Sequence, residues 1–148
     1  MKDNIKKHIK EYYAYWLGLN NLYDEWAKSY NMSVHSLFAL YAIWENQENC
    51  TQKIICDEWL MPKQTINSVL KNFKDKGYIE LLVNENDRRN KIIHLTPIGK
   101  IYAQDVLQDL LKLEESVMHK MGQTNRESMT KNNALFLELF KKEMETKK

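Results

Sequence analysis

Asp87-Arg88-Arg89-Asn90-Lys91 sets two guanidinium groups and an ammonium beside one carboxylate within five residues. No convergent acid–base pair accompanies them, so the chemistry they suit is attraction and hydrogen bonding to an anion. A second polar set precedes them: Lys63, Gln64, Asn67, Ser68 and Lys71, with Thr65 near its edge. Gln and Asn pair bidentately with adenine, and Lys reaches guanine or phosphate. None of these is a long apolar residue, so the face they form was not made for burial.

The elements that must carry these groups follow from the flanking pattern. Tyr78 to Val83 and Ile92 to Leu95 are short β-like runs on either side of the polar loop Asn84 to Lys91, which predicts a hairpin with the arginines at its tip. Thr96 is placed as the N-cap of a following helix, with Pro97 at the first helical position. Upstream, Ile66, Val69, Leu70 and Phe73 follow the i, i+3, i+4, i+7 rule and predict a helix from about Pro62 to Lys76. Gly77 then ends it in a conformation that tolerates positive φ. Thr51 is a candidate cap for a shorter helix reaching Trp59. Cys56 is its small residue at the helix crossing, flanked by Ile55 and Trp59 on the core side. The predicted unit is a helix-turn-helix followed by a two-stranded wing.

Longer helices flank this unit. Ile5, Ile9, Tyr12, Tyr13, Trp16, Leu17, Leu22, Tyr23 and Trp26 recur near helical spacing over about 4–30 and form a wide aromatic stripe. Ser33 opens another helix with Leu37, Leu40, Tyr41 and Trp44 on its apolar side. After the hairpin, helices are expected from Pro97 to about Met121 and from about Asn125 to Glu145. The last carries Met129, Leu135, Phe136, Leu139, Phe140 and Met144, a surface that a second subunit can cover. The fold expected is mainly α with a small β-hairpin wing: one domain over 1–148, with its winged core at about 33–96 and dimerisation helices at about 4–30 and 97–146.

Composition bounds the function. With 148 residues, 43% hydrophobic and 28% charged, the chain reads as one soluble domain, and a net charge of +2 makes the distribution of charge matter more than its sum. No secretory leader or membrane-length apolar run is present, so a cytoplasmic protein with no membrane partner is expected. There is no P-loop, G-x-S-x-G or dinucleotide fingerprint, and neither an enzyme nor a cofactor is expected. His8, His35, His94 and His119 lack metal-ligand spacing, so no metal is expected either. Cys56 is expected to be buried and inert. Cys50, near a helix start, sits where a thiolate is favoured.

The run P-K-Q-T-I-N-S-V-L-K-N-F-K-D-K-G-Y-I (Pro62 to Ile79), followed by D-R-R-N-K-I-I-H-L-T-P-I-G (Asp87 to Gly99), resembles the MarR family of winged helix-turn-helix transcription regulators. The family's wing pattern falls on Asp87, Arg89, Leu95, Thr96 and Gly99. The resemblance implies a homodimeric DNA-binding regulator, a repressor in preference to an activator, on double-stranded DNA with a palindromic operator. It places Arg89 in the minor groove, Asp87 as the acid that orients it, and Arg88 and Lys91 on phosphate. It also implies a pocket for a small aromatic or lipophilic effector, for which Tyr12, Tyr13, Trp16, Tyr41 and Trp44 are the candidates. Two other readings stay open: a winged helix used only for protein–protein contact, and a redox- or metal-responsive regulator of the same fold.

Overall fold

The computed structural model describes residues 4–147. Its elements run α1 (Ile5–Ser29), α2 (Val34–Glu45), α3 (Gln52–Trp59), α4 (Lys63–Asp75), β1 (Ile79–Leu82), β2 (Ile92–Leu95), α5 (Pro97–Met121) and α6 (Gln123–Glu145). The described residues divide into two compact units, one up to Val106 and the other from Leu107 onward.

In the first unit, α2 is the central helix and touches α1, α3, α4 and β2. The sequence stripe picks out Leu37 and Leu40, which are buried. Ala39, Ala42 and Ile43 are buried as well, while Tyr41 and Trp44 are only half-buried. A helix buried on most of its circumference needs small residues where neighbours approach closely, and the alanines serve that need. Ile55, Ile66, Val69, Leu70, Phe73, Ile79, Ile93 and Leu95 complete the core around it.

Caps and stops fix the element boundaries. Ser33 accepts from the Ser36 amide at 3.1 Å, and Thr51 accepts from the Ile54 amide at 3.2 Å. Two helices end in Schellman motifs. After α4, Gly77 (φ 74°) lets the Tyr78 amide reach Phe73 O and its own amide reach Lys74 O, both at 2.9 Å. The Phe73 and Tyr78 rings, 6.3 Å apart, supply the accompanying apolar contact. After α1, Asn31 (φ 55°) plays the glycine's part, and the Met32 amide bonds Ala27 O at 3.1 Å. α3 breaks this rule: its left-handed terminal residue is Leu60 (φ 51°), a conformation that costs a side-chain-bearing residue roughly 1–2 kcal/mol.

The wing is antiparallel, with Ile79 opposite Leu95 and Leu82 opposite Ile92. A third segment joins it that the strand pattern did not predict. Thr51 bridges Ile92, and the Ile93 amide donates to Cys50 O at 2.7 Å, so the entry to α3 pairs with the free edge of β2. The second unit is all helix, its last helix containing no buried residue.

Candidate nucleic-acid interface

Along α4 the burial pattern separates two faces. Ile66, Val69, Leu70 and Phe73 are buried, whereas Lys63, Gln64, Asn67, Ser68 and Lys71 are exposed and Thr65 is half-buried. Between Lys63 and Lys76 there are four lysines and one acid, Asp75. Pro62 occupies the N-cap without a side-chain cap, and no acid lies in the first turn. The amides of that turn, with the positive end of the helix dipole, are therefore open to an anion. Two of the polar residues have internal bonds. Asn67 Oδ1 accepts from Gln52 Nε2 at 2.6 Å, which ties α4 to α3, and Ser68 Oγ donates to Gln64 O at 3.2 Å. Asn67 Oδ1 has a second lone pair and Nδ2 takes no part in the Gln52 bond, so that bond orients the amide while both of its atoms can still meet an adenine.

The wing loop is two turns in series, each headed by a side-chain acceptor. Asn84 Oδ1 accepts from the Asn86 amide at 3.1 Å, and the Asp87 amide donates to Asn84 O at 3.2 Å. Asp87 Oδ1 then accepts from the Arg89 amide at 3.1 Å, while Oδ2 accepts from Asn90 Nδ2 at 2.7 Å. The Asn90 bond, and after it the Arg89 amide, hold the Asp87 carboxyl below its ordinary value. Asp87 thus shapes the backbone that carries Arg89 and leaves the guanidinium free. Arg88, Arg89 and Lys91 are exposed, and among the described residues none of them joins an ion pair.

The base of the wing is fastened by Thr96 and Gly99. Thr96 Oγ1 accepts from the Gly99 amide at 3.0 Å and donates to Gly77 O at 2.5 Å. A Cβ at Gly99 would lie 1.8 Å from Tyr78 O, so the start of α5 approaches the backbone too closely for any other residue. Tyr78 also stacks on Tyr102, with ring centroids 4.2 Å apart.

Sequence reasoning gave no role to Gln52, Asn84, Asn90 or the Cys50–Thr51 strand. The spacing of Asn84, Asp87 and Asn90 every three residues was the available signal for the tandem turns.

The structure corrects the expectation for each cysteine. Cys56 is only half-buried, whereas Ile55 beside it on α3 and Ile66 on α4 are fully buried. Cys50 is the buried one. Its Sγ lies 4.0 Å from Ala42 O, and burial, aided by the Glu58 charge, pushes the thiol up to about 12. A neutral, buried thiol replaces the favoured thiolate that its position near a helix start implied. Among the described residues, no three of His, Cys, Asp and Glu come together as a metal-binding group.

The effector candidates fall in several places. Tyr12, Tyr13 and Trp16 are exposed along α1, their rings in successive contact at 5.7 and 6.3 Å. Tyr41 packs on Trp59 at 5.2 Å, and Trp44 lines an open surface concavity with residues 45–49.

A helix-turn-helix whose second helix is polar outward, followed by a basic two-stranded wing, defines a winged helix-turn-helix protein. The MarR family model matches residues 30–90, from the end of α1 to the wing tip. It is 29% identical over 106 residues to the HTH-type transcriptional regulator SarZ of Staphylococcus epidermidis, covering 72% of this chain and 68% of that one. It is 24% identical over 96 residues to the HTH-type transcriptional regulator Hpr of Bacillus pumilus, covering 65% of this chain. The chain spans 46% of the length of that relative. Among solved structures, a MarR family regulator from Neisseria meningitidis superposes with a TM-score of 0.82 at 24% identity, covering 95% of this chain and 99% of the other. MepR of S. aureus in its complex with DNA gives 0.69 at 19% identity, covering 86% and 97%. These likenesses establish the winged-helix fold. No helix among the described residues is long and apolar enough to cross a membrane.

Proposed function

We propose that the protein is a DNA-binding transcription regulator, not an enzyme, that acts in the cytoplasm as a homodimer on a palindromic operator. One observation carries this reading: α4 and the wing tip each expose cations that form no ion pair among the described residues. In a dimer, two α4 helices about 34 Å apart meet successive major grooves. Lys63, Gln64, Thr65, Asn67, Ser68 and Lys71 then face bases and phosphates. Arg89 enters the flanking minor groove, where a narrow A·T-rich stretch concentrates negative potential, while Arg88 and Lys91 bind phosphate. The regulators SarZ and Hpr and the DNA complex of MepR support the reading.

A signal would act by population shift, favouring a dimer whose two α4 helices no longer match the groove spacing. The exposed aromatic run of α1 supports a small aromatic or lipophilic effector. The test for it is loss of duplex binding, with a change in Trp fluorescence, across a panel of aromatic acids.

The test of the main reading is selection of bound duplexes from a random pool by the full chain. A palindrome with A·T-rich flanks is expected, and its affinity should fall on the order of 10³-fold between 50 and 200 mM salt. Recovery of no motif would sink the regulator in favour of a protein–protein module.

A further inference from the structure

We propose that Leu60 reads DNA, seating its side chain against a thymine methyl at the edge of the half-site; this rests on the duplex binding proposed above. Leu60 ends α3 in the left-handed region (φ 51°, ψ 38°) and is 85% exposed. Two other turns of the same chain use the residues this conformation favours, Gly77 and Asn31. A leucine here is disfavoured twice. Its Cβ crowds the backbone, and its apolar surface lies in water with no core contact to offset the strain.

Its neighbours behave differently. Met61 is buried, and Trp59 stacks on Phe38 at 5.5 Å. Both flanks are thus anchored, and Leu60 alone is thrown outward. Three residues later Lys63 begins the polar face of α4, whose first turn lacks any acid. A recognition helix contacts bases through its N-terminal residues, which brings the preceding turn to the wall of the groove. The apolar group that the major groove presents there is the C5 methyl of thymine. The surrounding Lys63 and Gln64 favour a polyanion over an apolar protein partner at this point.

The test uses the full-length wild type, Leu60→Gly and Leu60→Asn, both suited to the left-handed conformation. The probes are the duplex recovered from the random pool and versions in which each thymine in turn is replaced by uracil, which lacks only the methyl. Leu60→Gly is expected to melt a few degrees higher yet bind the duplex about tenfold more weakly. One uracil substitution should weaken wild-type binding about fourfold, with no effect on Leu60→Gly or Leu60→Asn binding. If Leu60→Gly binds as tightly as the wild type, or responds to every uracil as the wild type does, the inference is overturned and the duplex reading stands. If the wild type recovers no duplex, both fall together.

Discussion

α4 and α6 are both amphipathic, but they leave opposite halves of themselves outside. α4 buries four apolar side chains in thirteen residues and exposes its lysines and amides. α6 buries nothing in twenty-three and leaves Leu135, Phe136, Leu139 and Phe140 about half exposed. The first is finished within one chain and offers hydrogen bonds and charge to a polar partner. The second is unfinished, since an apolar stripe of that length is stable against another apolar surface. The proposed homodimer assigns each its complement: DNA to α4, a second copy to α6.

The largest expected effect breaks that assignment at α6. Phe136→Asp with Phe140→Asp places carboxylates where the stripe must be desolvated, at a cost of several kcal/mol per dimer. The mass by sedimentation equilibrium should fall from two chains to one, and duplex affinity should fall at least about 100-fold with it. Lys71→Ala, on the outer face of α4, should leave the mass unchanged. A double variant that still sediments as two chains would show that α6 is not the dimer surface.

Next in size is the junction that sets the wing against the core. Gly99→Ala forces a Cβ onto Tyr78 O and should cost about 3 kcal/mol or more, read as a lowered melting temperature. At Gly18, in the exposed part of α1, an added methyl would meet nothing within 4 Å, and Gly18→Ala should stabilise by about 0.5–1 kcal/mol. The same substitution therefore separates a position fixed by backbone approach from one that is merely tolerated.

What was legible in the sequence was local. Ser33, Thr51 and Thr96 cap where predicted, Gly77 stops α4, and the stripe Ile66, Val69, Leu70, Phe73 is the buried one, because each feature depends on residues within about four positions. The hairpin was legible too, although β1 begins at Ile79 and ends at Leu82, inside the predicted Tyr78 to Val83. What was not legible needs a partner distant in the chain. The Cys50–Thr51 edge pairs with residues some forty positions away. The reason for Gly99 exists only once α5 meets the Tyr78 carbonyl. The burial of Cys50 was missed for the same reason, since it lies against α2 and β2, both distant from the start of α3.

A smaller effect sharpens the comparison at the wing, where two adjacent arginines are given different tasks. Arg89→Ala should cost about 1–3 kcal/mol of duplex binding, concentrated on operators with A·T-rich flanks. Arg88→Ala should weaken all duplexes alike and reduce the slope of log affinity against log salt by about one for each phosphate the arginine neutralises. Anisotropy titrations of both variants on two duplexes differing only in the flanks separate the roles. Equal losses for both arginines on both duplexes would leave the wing a phosphate clamp without a minor-groove probe.

The smallest effect concerns the carboxylate that shapes the loop. Its hydrogen bonds to Asn90 and to the Arg89 amide favour the charged form, so the folded value of Asp87 lies below its unfolded value. The order it contributes is therefore fully present above the ordinary aspartate range and is lost as pH falls through the folded value. Across neutral pH Asp87 stays charged and its two hydrogen bonds should persist. Below the ordinary aspartate range the amide resonances of Arg89 and Asn90 should shift together in an NMR titration, with a midpoint lower than that of an exposed aspartate. Asp87→Asn keeps an acceptor for the Arg89 amide but offers Asn90 a second amide nitrogen in place of Oδ2. It should abolish that acid transition and weaken duplex binding a few-fold at neutral pH, well short of Arg89→Ala. An unchanged acid transition in Asp87→Asn would mean that another group orders the wing, and the separate roles of the two arginines would need a different support.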